Sequence, residues 1–352
     1  MTKTNLKDLY NTIVNDRVSD QGGEKTLLID GTNMFIRVFT AVPALNDNGE
    51  HVGGLLGFLR SLRFLISQFQ PTRAIIIFDE KGGSSRRKKL FPGYKAGRST
   101  KIKTFNRFDE FKNLEDEQQS MVKQFRRIIE YLNILPIYVL SISGVEADDT
   151  IAWIIKNKCA SHKSVIVSSD KDFFQLITEH VNVYNPVQKK LYDVNGIKER
   201  FGIIPENMIT YRTLDGDTSD DIPGVKGVGL ATLIKTFPEL VNTEFTVDDL
   251  LLKSKIEVDN KSKKKIFKTI LDSEDKINLN FRLMQLDDVD ISGEAKLKIH
   301  DSLEEGVTRL NRLKFRKMLV EDRLHLQIKD PDQWLNSAFT KIEIHAANRL
   351  NQ

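Results

Sequence analysis

The sequence predicts an α/β fold with a mainly parallel central sheet flanked by helices, and three observations lead to this prediction. Short, near-continuous apolar segments alternate with helical patterns, as expected for parallel strands covered on both faces. Three of these segments end in an aspartate, at Asp30, Asp79 and Asp170. From Pro205 onward the pattern is mostly helical, which predicts a helical C-terminal region.

Each element is predicted from its periodicity and its flanking residues. Continuous apolar runs predict strands at residues 26–30, 74–79, 137–140 and 165–170. A glycine-rich turn at 51–57 leads into a helix with apolar positions from Leu55 to Ile66. Further helices are expected at 120–132, 146–158, 205–214, 225–237 and 302–320. Residues 341–345 have the pattern of a short strand.

Composition excludes several classes of protein. The chain has 352 residues, 40% of them hydrophobic and 29% charged, as in ordinary globular proteins. It contains no run of 18 apolar residues, which argues against a membrane span, and its first 25 residues lack the apolar stretch of a signal peptide. The single cysteine, Cys159, cannot form a disulfide framework, which fits a reducing compartment. We therefore expect a cytoplasmic protein.

The acidic residues gather where parallel strands end. Because the carboxyl ends of such strands meet at one edge of the sheet, Asp30, Asp79 and Asp170 should face the same cleft. Further acids follow in turns and at a helix start, at Glu146, Asp148, Asp149, Asp172, Asp217 and Asp220. Helix capping explains one or two of the acids at 146–149, since a helix dipole favours them, but not three. Two like charges about 4 Å apart repel by roughly 4 kcal/mol at an effective dielectric of 20, so the set predicts bound cations.

The ligand chemistry favours Mg²⁺ or Mn²⁺. Every candidate ligand is a carboxylate oxygen, and the six histidines are scattered along the chain, which argues against zinc. Two such ions about 3.5–4 Å apart are a known arrangement for in-line phosphodiester hydrolysis. A phosphoaspartate enzyme fits poorly, because Thr32 stands where a second acid would follow Asp30.

Two segments predict nucleic-acid binding. Residues 84–103 carry eight Lys or Arg and no acid, with Phe91 and Tyr94 among them, which suits phosphates and stacked bases. A flexible, solvated basic loop is the alternative. The turn from Gly224 to Gly229 lacks the preceding strand of a dinucleotide site. It suits a helix-turn-helix hairpin whose backbone N–H groups meet a DNA phosphate.

In order along the chain, these motifs resemble those of the 5′-nuclease (flap endonuclease) superfamily. Within it, the chain is most similar to bacteriophage 5′–3′ exonucleases of the T-even phage ribonuclease H type. The resemblance covers about residues 25–290. It is carried by Asp30-Gly31-Thr32-Asn33, Phe78-Asp79, Tyr94-Lys95-x-x-Arg98, Glu146-Ala147-Asp148-Asp149, Ser169-Asp170-Lys171-Asp172 and Gly216-Asp217-x-x-Asp220-Asp221-Ile222-Pro223-Gly224.

The resemblance implies a role for each motif. Asp30, Asp79, Glu146, Asp148 and Asp170 would lie nearest the first, catalytic ion. Asp149 is a further family ligand, and Asp172, Asp217 and Asp220 would hold the second ion; Asp221 competes with Asp220 for one role. Lys95 and Arg98 would contact the scissile phosphate. The other implied nucleic-acid-binding residues are Arg37, Arg86, Arg87, Tyr94, Gly224, Lys226, Gly227 and Gly229, with K⁺ a candidate ligand of the 224–229 turn.

The resemblance also implies an architecture and a set of partners. We expect an N-terminal extension at 1–24 and a PIN-like nuclease core at 25–200 with a helical arch at about 84–125. A helix–three-turn–helix region at 201–300 and a helical extension at 301–352 would follow. The partners would be DNA and RNA–DNA hybrids with 5′ ends or flaps, with a single-stranded-DNA-binding protein as a further candidate and no membrane. We expect a monomer.

The implied function is a structure-specific 5′–3′ exonuclease or flap endonuclease. It would remove RNA primers and flaps in DNA replication and repair, by a two-metal mechanism with Mg²⁺. Two alternatives remain open: a PIN-like ribonuclease that acts on single-stranded RNA, and a structure-specific DNA-binding protein without catalytic activity. The balance of exonuclease and flap activity and the preference for RNA or DNA are also left open by the sequence.

Overall fold

The structure, a computed structural model, describes residues 24–97, 111 and 113–349. Arg98, part of the predicted arch and nearly all of the predicted N-terminal extension therefore lie outside the described residues.

A six-stranded sheet forms the centre of the molecule, in the spatial order β3-β2-β1-β4-β5-β6. The first five strands are parallel, and β6 pairs antiparallel with β5 at the edge. This confirms the mainly parallel sheet that the sequence predicts. The strands are β1 (Lys25–Asp30), β2 (Arg73–Phe78), β3 (Tyr138–Ser141), β4 (Lys163–Val167), β5 (Val181–Asn185) and β6 (Lys190–Tyr192).

Helices cover the sheet, and the regular elements described after β6 are helical. Those up to the end of the sheet region are α1 (Gly31–Ala41), α2 (Gly53–Phe69), α3 (Ser85–Leu90), α4 (Leu114–Leu132), α5 (Ala147–Lys158) and α6 (Val194–Phe201). The later ones are α7 (Met208–Asp215), α8 (Leu230–Thr236), α9 (Val247–Asp259), α10 (Lys265–Leu271), α11 (Glu274–Met284), α12 (Gly293–Glu304), α13 (Arg312–Glu321) and α14 (Pro331–Arg349). Short 3₁₀ turns lie at Asp172–Leu176, Pro205–Asn207 and Pro238–Val241.

The two faces of the sheet bury separate hydrophobic clusters, because successive side chains of a strand point to opposite faces. Leu28 faces a cluster that α5 shares with helices of the 201–303 region. Leu27 and Ile29 face the second cluster, which contains α1, α2, α4 and the C-terminal helices α13 and α14. The helical region and the C-terminal extension thus cover opposite faces of one sheet, in three layers.

Strand order places the ligand-binding edge. β1 is the central strand, with β2 on one side and β4 on the other. The chain direction across the sheet therefore reverses between β1 and β4. In open parallel sheets this switch point, at the carboxyl ends of the strands, is where ligands bind. Asp30 ends β1 at this point.

Several predicted boundaries are wrong, each for a local reason. Residues 114–119 are helical because Asn113 caps α4 and the acids of its first turn suit the helix dipole. The predicted helix at 302–320 is two helices, since Gly306 has a φ of +83° and Asn311 caps α13. β4 ends at Val167 rather than at Asp170.

The predicted strand at 341–345 is also wrong, because these residues lie inside α14. Ile342 is buried in the cluster on the second face of the sheet, so helical packing determines its conformation. α1, β5 and β6 are further elements that the sequence analysis did not predict. Among the helices of the described residues, none has the length and apolar character needed to cross a bilayer.

The packing of α14 gives a first prediction. Trp334 is buried and stacks on Phe315 at 5.2 Å between ring centroids, and Phe315 meets the edge of Tyr131. Trp334→Ala should therefore lower the free energy of unfolding by about 3–5 kcal/mol, the usual cost of removing a large buried aromatic. Urea titration followed by circular dichroism measures it. The matched control is Leu313→Ala at a 76% exposed position, which should change stability by less than about 0.5 kcal/mol. Equal effects of the two substitutions would contradict the packing described.

Candidate metal centre

The strand-end acids organise the edge of the sheet. Asp30 caps α1, its Oδ1 accepting a hydrogen bond from the Asn33 backbone N–H at 2.9 Å. Its Oδ2 accepts from the Ser168 hydroxyl at 3.2 Å, which ties β1 to the turn after β4. Asp79 follows β2 and accepts from the Ala147 N–H at 2.9 Å, at the first residue of α5. These two carboxylates thus fix the relative positions of the segments that carry the other acids.

A first cluster of carboxylates lies at the start of α5. Glu146, Asp148 and Asp149 each have a ligand oxygen within 4.8 Å of the others. Glu146 and Asp149 are buried. Burial of two carboxylates beside a third, without compensation, would be strongly unfavourable, so the surroundings must supply positive charge.

Arg87 supplies that charge from α3. Its guanidinium contacts Glu146, and lies 2.8 Å from Asp149 and 3.3 Å from Asp148. Its Nε donates to the Leu283 carbonyl at 2.8 Å. The side chain is only 2% exposed. The sequence predicts Arg87 as a nucleic-acid-binding residue; in the structure its guanidinium lies against the carboxylates of this cluster.

A second cluster forms where the turn after β4 meets the loop after α7. Asp170, Asp172 and Asp217 also have ligand oxygens within 4.8 Å of one another. The Asp172 N–H donates to Asp170 at 2.8 Å, which bends the chain so that both side chains point into the cluster. Asp170 shares this cluster with Asp172 and Asp217, and the charge of Asp148 in the first cluster also acts on it.

Arg212 on α7 was missed by sequence reasoning. Its buried guanidinium pairs with Asp172 at 2.9 Å and with Asp217 at 2.5 Å. Its position, five residues before Asp217 in a helical pattern, is the available signal in the sequence. That signal does not specify which way the side chain points.

The first residues after α3 pack against the acidic loop at 217–222. Tyr94 is buried with Ile222, Leu283 and Met284. Lys95 has a φ of +55°, a strained value for a residue with a side chain, and its N–H donates to the Asp220 carbonyl at 2.9 Å. The Lys95 ammonium contacts Glu146 and lies 3.8 Å from Asp220. Lys95 thus lies between the first cluster and the acidic loop.

Asp220 and Asp221 differ in their surroundings. Asp221 has a φ of +59° and accepts a hydrogen bond from the Gly97 N–H at 2.8 Å. The side chain of Asp221 is thereby engaged with the chain beside Lys95, whereas Asp220 faces the Lys95 ammonium. This geometry favours Asp220 as the ligand of the pair.

The other predicted nucleic-acid-binding residues occupy varied positions. Arg86 pairs with Asp149 at 3.3 Å, and Arg37 is half-buried near Tyr184. Arg98 is outside the described residues. In the glycine turn, a Cβ on Gly224 would lie 2.2 Å from the Asp215 carbonyl, so only glycine fits there.

The remaining turn residues extend from that contact toward α8. Gly227 has a φ of +81°, Gly229 precedes the first turn of α8, and Lys226 is exposed. The glycine turn is therefore packed against the end of α7, next to the acidic loop.

Burial and mutual repulsion raise the pKa of several carboxyl groups. Burial raises the pKa of Asp30 to about 7, and the charges of Asp79 and Asp170 add to it. Burial and the charge of Asp170 raise the pKa of Asp172 to about 8, against the opposing effect of Arg212. Burial raises the pKa of Asp170 to about 6, and the charge of Asp148 contributes, which shows that the two clusters are close enough to interact.

Asp149 and Asp148 shift in opposite directions. Burial and the charge of Asp148 raise the pKa of Asp149 to about 6. Burial alone would raise the pKa of Asp148, but Arg87 and Lys95 hold it below its usual value. Both clusters consist of carboxylate oxygens alone, the donor set that hard divalent cations prefer. The residues present therefore fit divalent cations.

These pKa values predict how stability depends on pH. Asp30 and Asp172 have folded-state pKa values of about 7 and about 8, against about 3.9 when unfolded, so the folded protein binds more protons in this range. The stability of the metal-free protein should therefore fall as the pH rises from about 6 to about 8. Divalent cations bind the deprotonated carboxylates, so their stabilising effect should grow over the same range.

Thermal melts with EDTA and with Mg²⁺ measure both effects. The melting temperature with EDTA should drop from pH 6 to pH 8, and the difference made by Mg²⁺ should widen. Asp172→Asn serves as the control, since an amide does not titrate, and should make the dependence shallower while the contribution of Asp30 stays. A melting temperature with EDTA that rises over this range would contradict the pKa assignments.

Known proteins resemble this chain in sequence. A family profile described as "5'-3' exonuclease, N-terminal resolvase-like domain" matches residues 25–202. A 5'-3' exonuclease of Aquifex aeolicus is 31% identical over 223 residues, which is 62% of this chain and 71% of the relative. DNA polymerase I of Pseudomonas aeruginosa is 34% identical over 210 residues, or 59% of this chain. The match spans only 21% of that polymerase.

Solved structures share the fold. A flap endonuclease of bacteriophage T5, in a pseudo-enzyme–product complex with DNA and metal ions, superposes with a TM-score of 0.60 at 21% identity. That match covers 85% of this chain and 99% of the phage protein. The T5 5'-exonuclease with bound zinc gives a TM-score of 0.61 at 23% identity, over 80% of this chain and 99% of the other.

Proposed function

We propose that this chain, which belongs to the 5′-3′ exonuclease family, is a divalent-metal-dependent nuclease acting at 5′ ends and single-strand/duplex junctions. The observation that carries the proposal is the pair of carboxylate clusters at the switch point of the sheet. Their charges interact, and a buried arginine lies against each cluster. Such a site binds cations, and phosphodiester hydrolysis is a reaction that paired divalent cations promote.

The metal we propose is Mg²⁺, held by two groups of ligands. Glu146, Asp148 and Asp149 would hold one ion; Asp170, Asp172 and Asp217 would hold the other. Asp30, Asp79 and Asp220 lie around these groups and would complete them directly or through water. When bound, the ions would supply Lewis-acid stabilisation of charge on the phosphate and lower the pKa of attacking water.

The chain's own residues would position the phosphate. The Lys95 ammonium lies beside Glu146 and near Asp220, so a phosphate held at the clusters would be within its reach. A cation there would offset the negative charge that develops on the phosphate. We propose the same role for Arg98, from the arch. Tyr94 is buried, so we assign it to anchoring Lys95 rather than to stacking on a base.

We propose DNA and RNA–DNA hybrids with 5′ ends or flaps as substrates. The T5 relative is described as a flap endonuclease in complex with DNA, which supports a DNA substrate for this chain. The turn at 224–229 lies directly after the acidic loop, so a duplex bound there would place its end at the clusters. We propose K⁺ as a ligand of this turn. In the cell, the activity would remove primers and flaps in DNA replication, by a monomer that works with a single-stranded-DNA-binding protein.

The central test is the loss of cleavage in Asp170→Asn. Asp170 lies within the second cluster, and the charge of Asp148 in the first cluster acts on it. Loss of the Asp170 carboxylate should therefore disturb both clusters. We expect cleavage of a 5′-labelled flap substrate with Mg²⁺ to fall at least about 1,000-fold, or about 4 kcal/mol in activation free energy. Binding of the flap, measured by fluorescence anisotropy, should change less than about threefold, since the basic surface carries it.

The control for that test is Asp301→Asn, at an exposed position on α12, which should cut like the wild type. Nicked duplex, RNA–DNA hybrid and single-stranded RNA substrates belong in the same assay. Cleavage of single-stranded RNA alone would support the ribonuclease alternative. Undiminished flap cleavage by Asp170→Asn would contradict the metal assignment.

The contacts of Lys95 and Asp221 predict an order of effects. Lys95→Ala removes the charge at the phosphate and should lower turnover about 100- to 1,000-fold. Asp221→Ala removes the bond to the Gly97 N–H and should cost less than about tenfold, because that bond holds the backbone beside Lys95 and supplies no charge at the phosphate. Single-turnover cleavage of the flap substrate measures both.

The matched control for this pair is Lys189→Ala. Lys189 is an exposed lysine with the same left-handed backbone, at a φ of +52° in the turn between β5 and β6. Its substitution should leave turnover unchanged. The opposite order, with Asp221→Ala more damaging than Lys95→Ala, would mean that Asp221 is the ligand.

A further inference from the structure

Arg212 is a buried cation within the second carboxylate cluster. The side chain is only 3% exposed. Its Nε donates to Asp172 at 2.9 Å, and its Nη2 donates to Asp217 at 2.5 Å. Its Nη1 donates to the Gly216 carbonyl at 2.8 Å and lies 3.3 Å from Asp215. All three nitrogens of the guanidinium are therefore engaged.

The two carboxylates that Arg212 joins come from separate parts of the chain. Asp172 begins the 3₁₀ turn after β4, and Asp217 lies in the loop after α7. Their ligand oxygens lie within 4.8 Å of each other, so the two negative charges repel. The guanidinium between them offsets this repulsion and bonds one oxygen of each.

Asp217 is also held from the opposite side. Its Oδ1 accepts hydrogen bonds from the Ser219 N–H at 2.7 Å and the Ser219 hydroxyl at 2.6 Å. Its Oδ2 accepts from Arg212. The plane of this carboxylate is thereby fixed, so Arg212 and Ser219 together determine how Asp217 faces Asp170.

We propose that Arg212 is a positioning residue of the second metal site, an inference that rests on the proposed function. Its planar guanidinium holds one oxygen of Asp172 and one of Asp217. The other oxygen of each carboxylate would then be oriented toward Asp170 before an ion binds. The ion then finds its ligands already oriented, and the site needs no rearrangement to bind it. Shape matters here as well as charge, because a lysine carries the same charge but lacks the rigid fork that reaches both carboxylates and the Gly216 carbonyl.

The test measures Mn²⁺ binding by isothermal titration calorimetry on the full chain, in the wild type, Arg212→Lys and Arg212→Gln. The wild type should bind two ions. Arg212→Lys should weaken one of the two sites at least tenfold and leave the other within twofold of the wild type. A role confined to general stability would lower both sites together, so this difference between sites separates positioning from folding. Arg212→Lys with two wild-type sites would overturn the proposal.

Three further measurements keep the result interpretable. Melting temperatures with EDTA report folding; if Arg212→Gln does not fold, Arg212→Lys decides. In an Asp172→Asn background, Arg212→Lys should weaken Mn²⁺ binding by less than it does in the wild type, since one of the two carboxylates through which Arg212 acts has already been removed; an undiminished tenfold further loss would overturn the proposal. Arg127→Lys is the matched control, because Arg127 also pairs with three carboxylates, of Glu130, Glu321 and Asp322, outside both clusters. It should leave both sites unchanged.

Failure of this inference is distinguishable from failure of the proposed function. Wild-type protein that binds no Mn²⁺ and cuts no flap substrate would overturn both. Wild-type protein that binds two ions and cuts, together with an Arg212→Lys variant that binds them equally well, would overturn the role of Arg212 alone.

Discussion

Repulsion among carboxylates gathered at one edge of a parallel sheet is the constraint on which the rest of this structure depends. Nine acids from separate segments were predicted to meet there, and the structure brings six of them into two clusters. Such a gathering is unfavourable in the absence of cations; the pKa of Asp172 is raised by burial first and by the charge of Asp170 second. The fold offsets the repulsion with one buried arginine at each cluster, Arg87 and Arg212.

Those arginines also connect the site to distant parts of the chain. Arg87 comes from α3, at the base of the predicted arch, and also bonds the Leu283 carbonyl at the end of α11. Arg212 joins the turn after β4 to the loop after α7. The contacts of the two arginines thus tie the carboxylate clusters to α3 and α7, which lie next to the segments proposed to bind DNA.

The helical layers on either side of the sheet position the edge where the carboxylates gather. The 201–303 helices share a core with one face and bring Asp217 and the glycine turn to the strand ends. The C-terminal helices cover the other face, where Trp334 and Phe315 pack against α4. Burial on both faces keeps the strands fixed, so that Asp79 bonds the first residue of α5 and Asp30 bonds Ser168 after β4.

The sequence by itself determined the sheet, the strand-end acids and the family, because apolar periodicity and the order of motifs can be read directly along the chain. Tertiary structure decided which acids share a cluster, since Asp170 lies with Asp217, far away along the chain. It also decided where side chains point: Arg87 turns inward to carboxylates and Asp221 to Gly97. The helix at 341–345 follows the same rule, because packing of Ile342 outweighs a short strand-like pattern. The direction of a side chain and the pairing of residues distant in the sequence depend on packing and charge in three dimensions. No local sequence pattern encodes them.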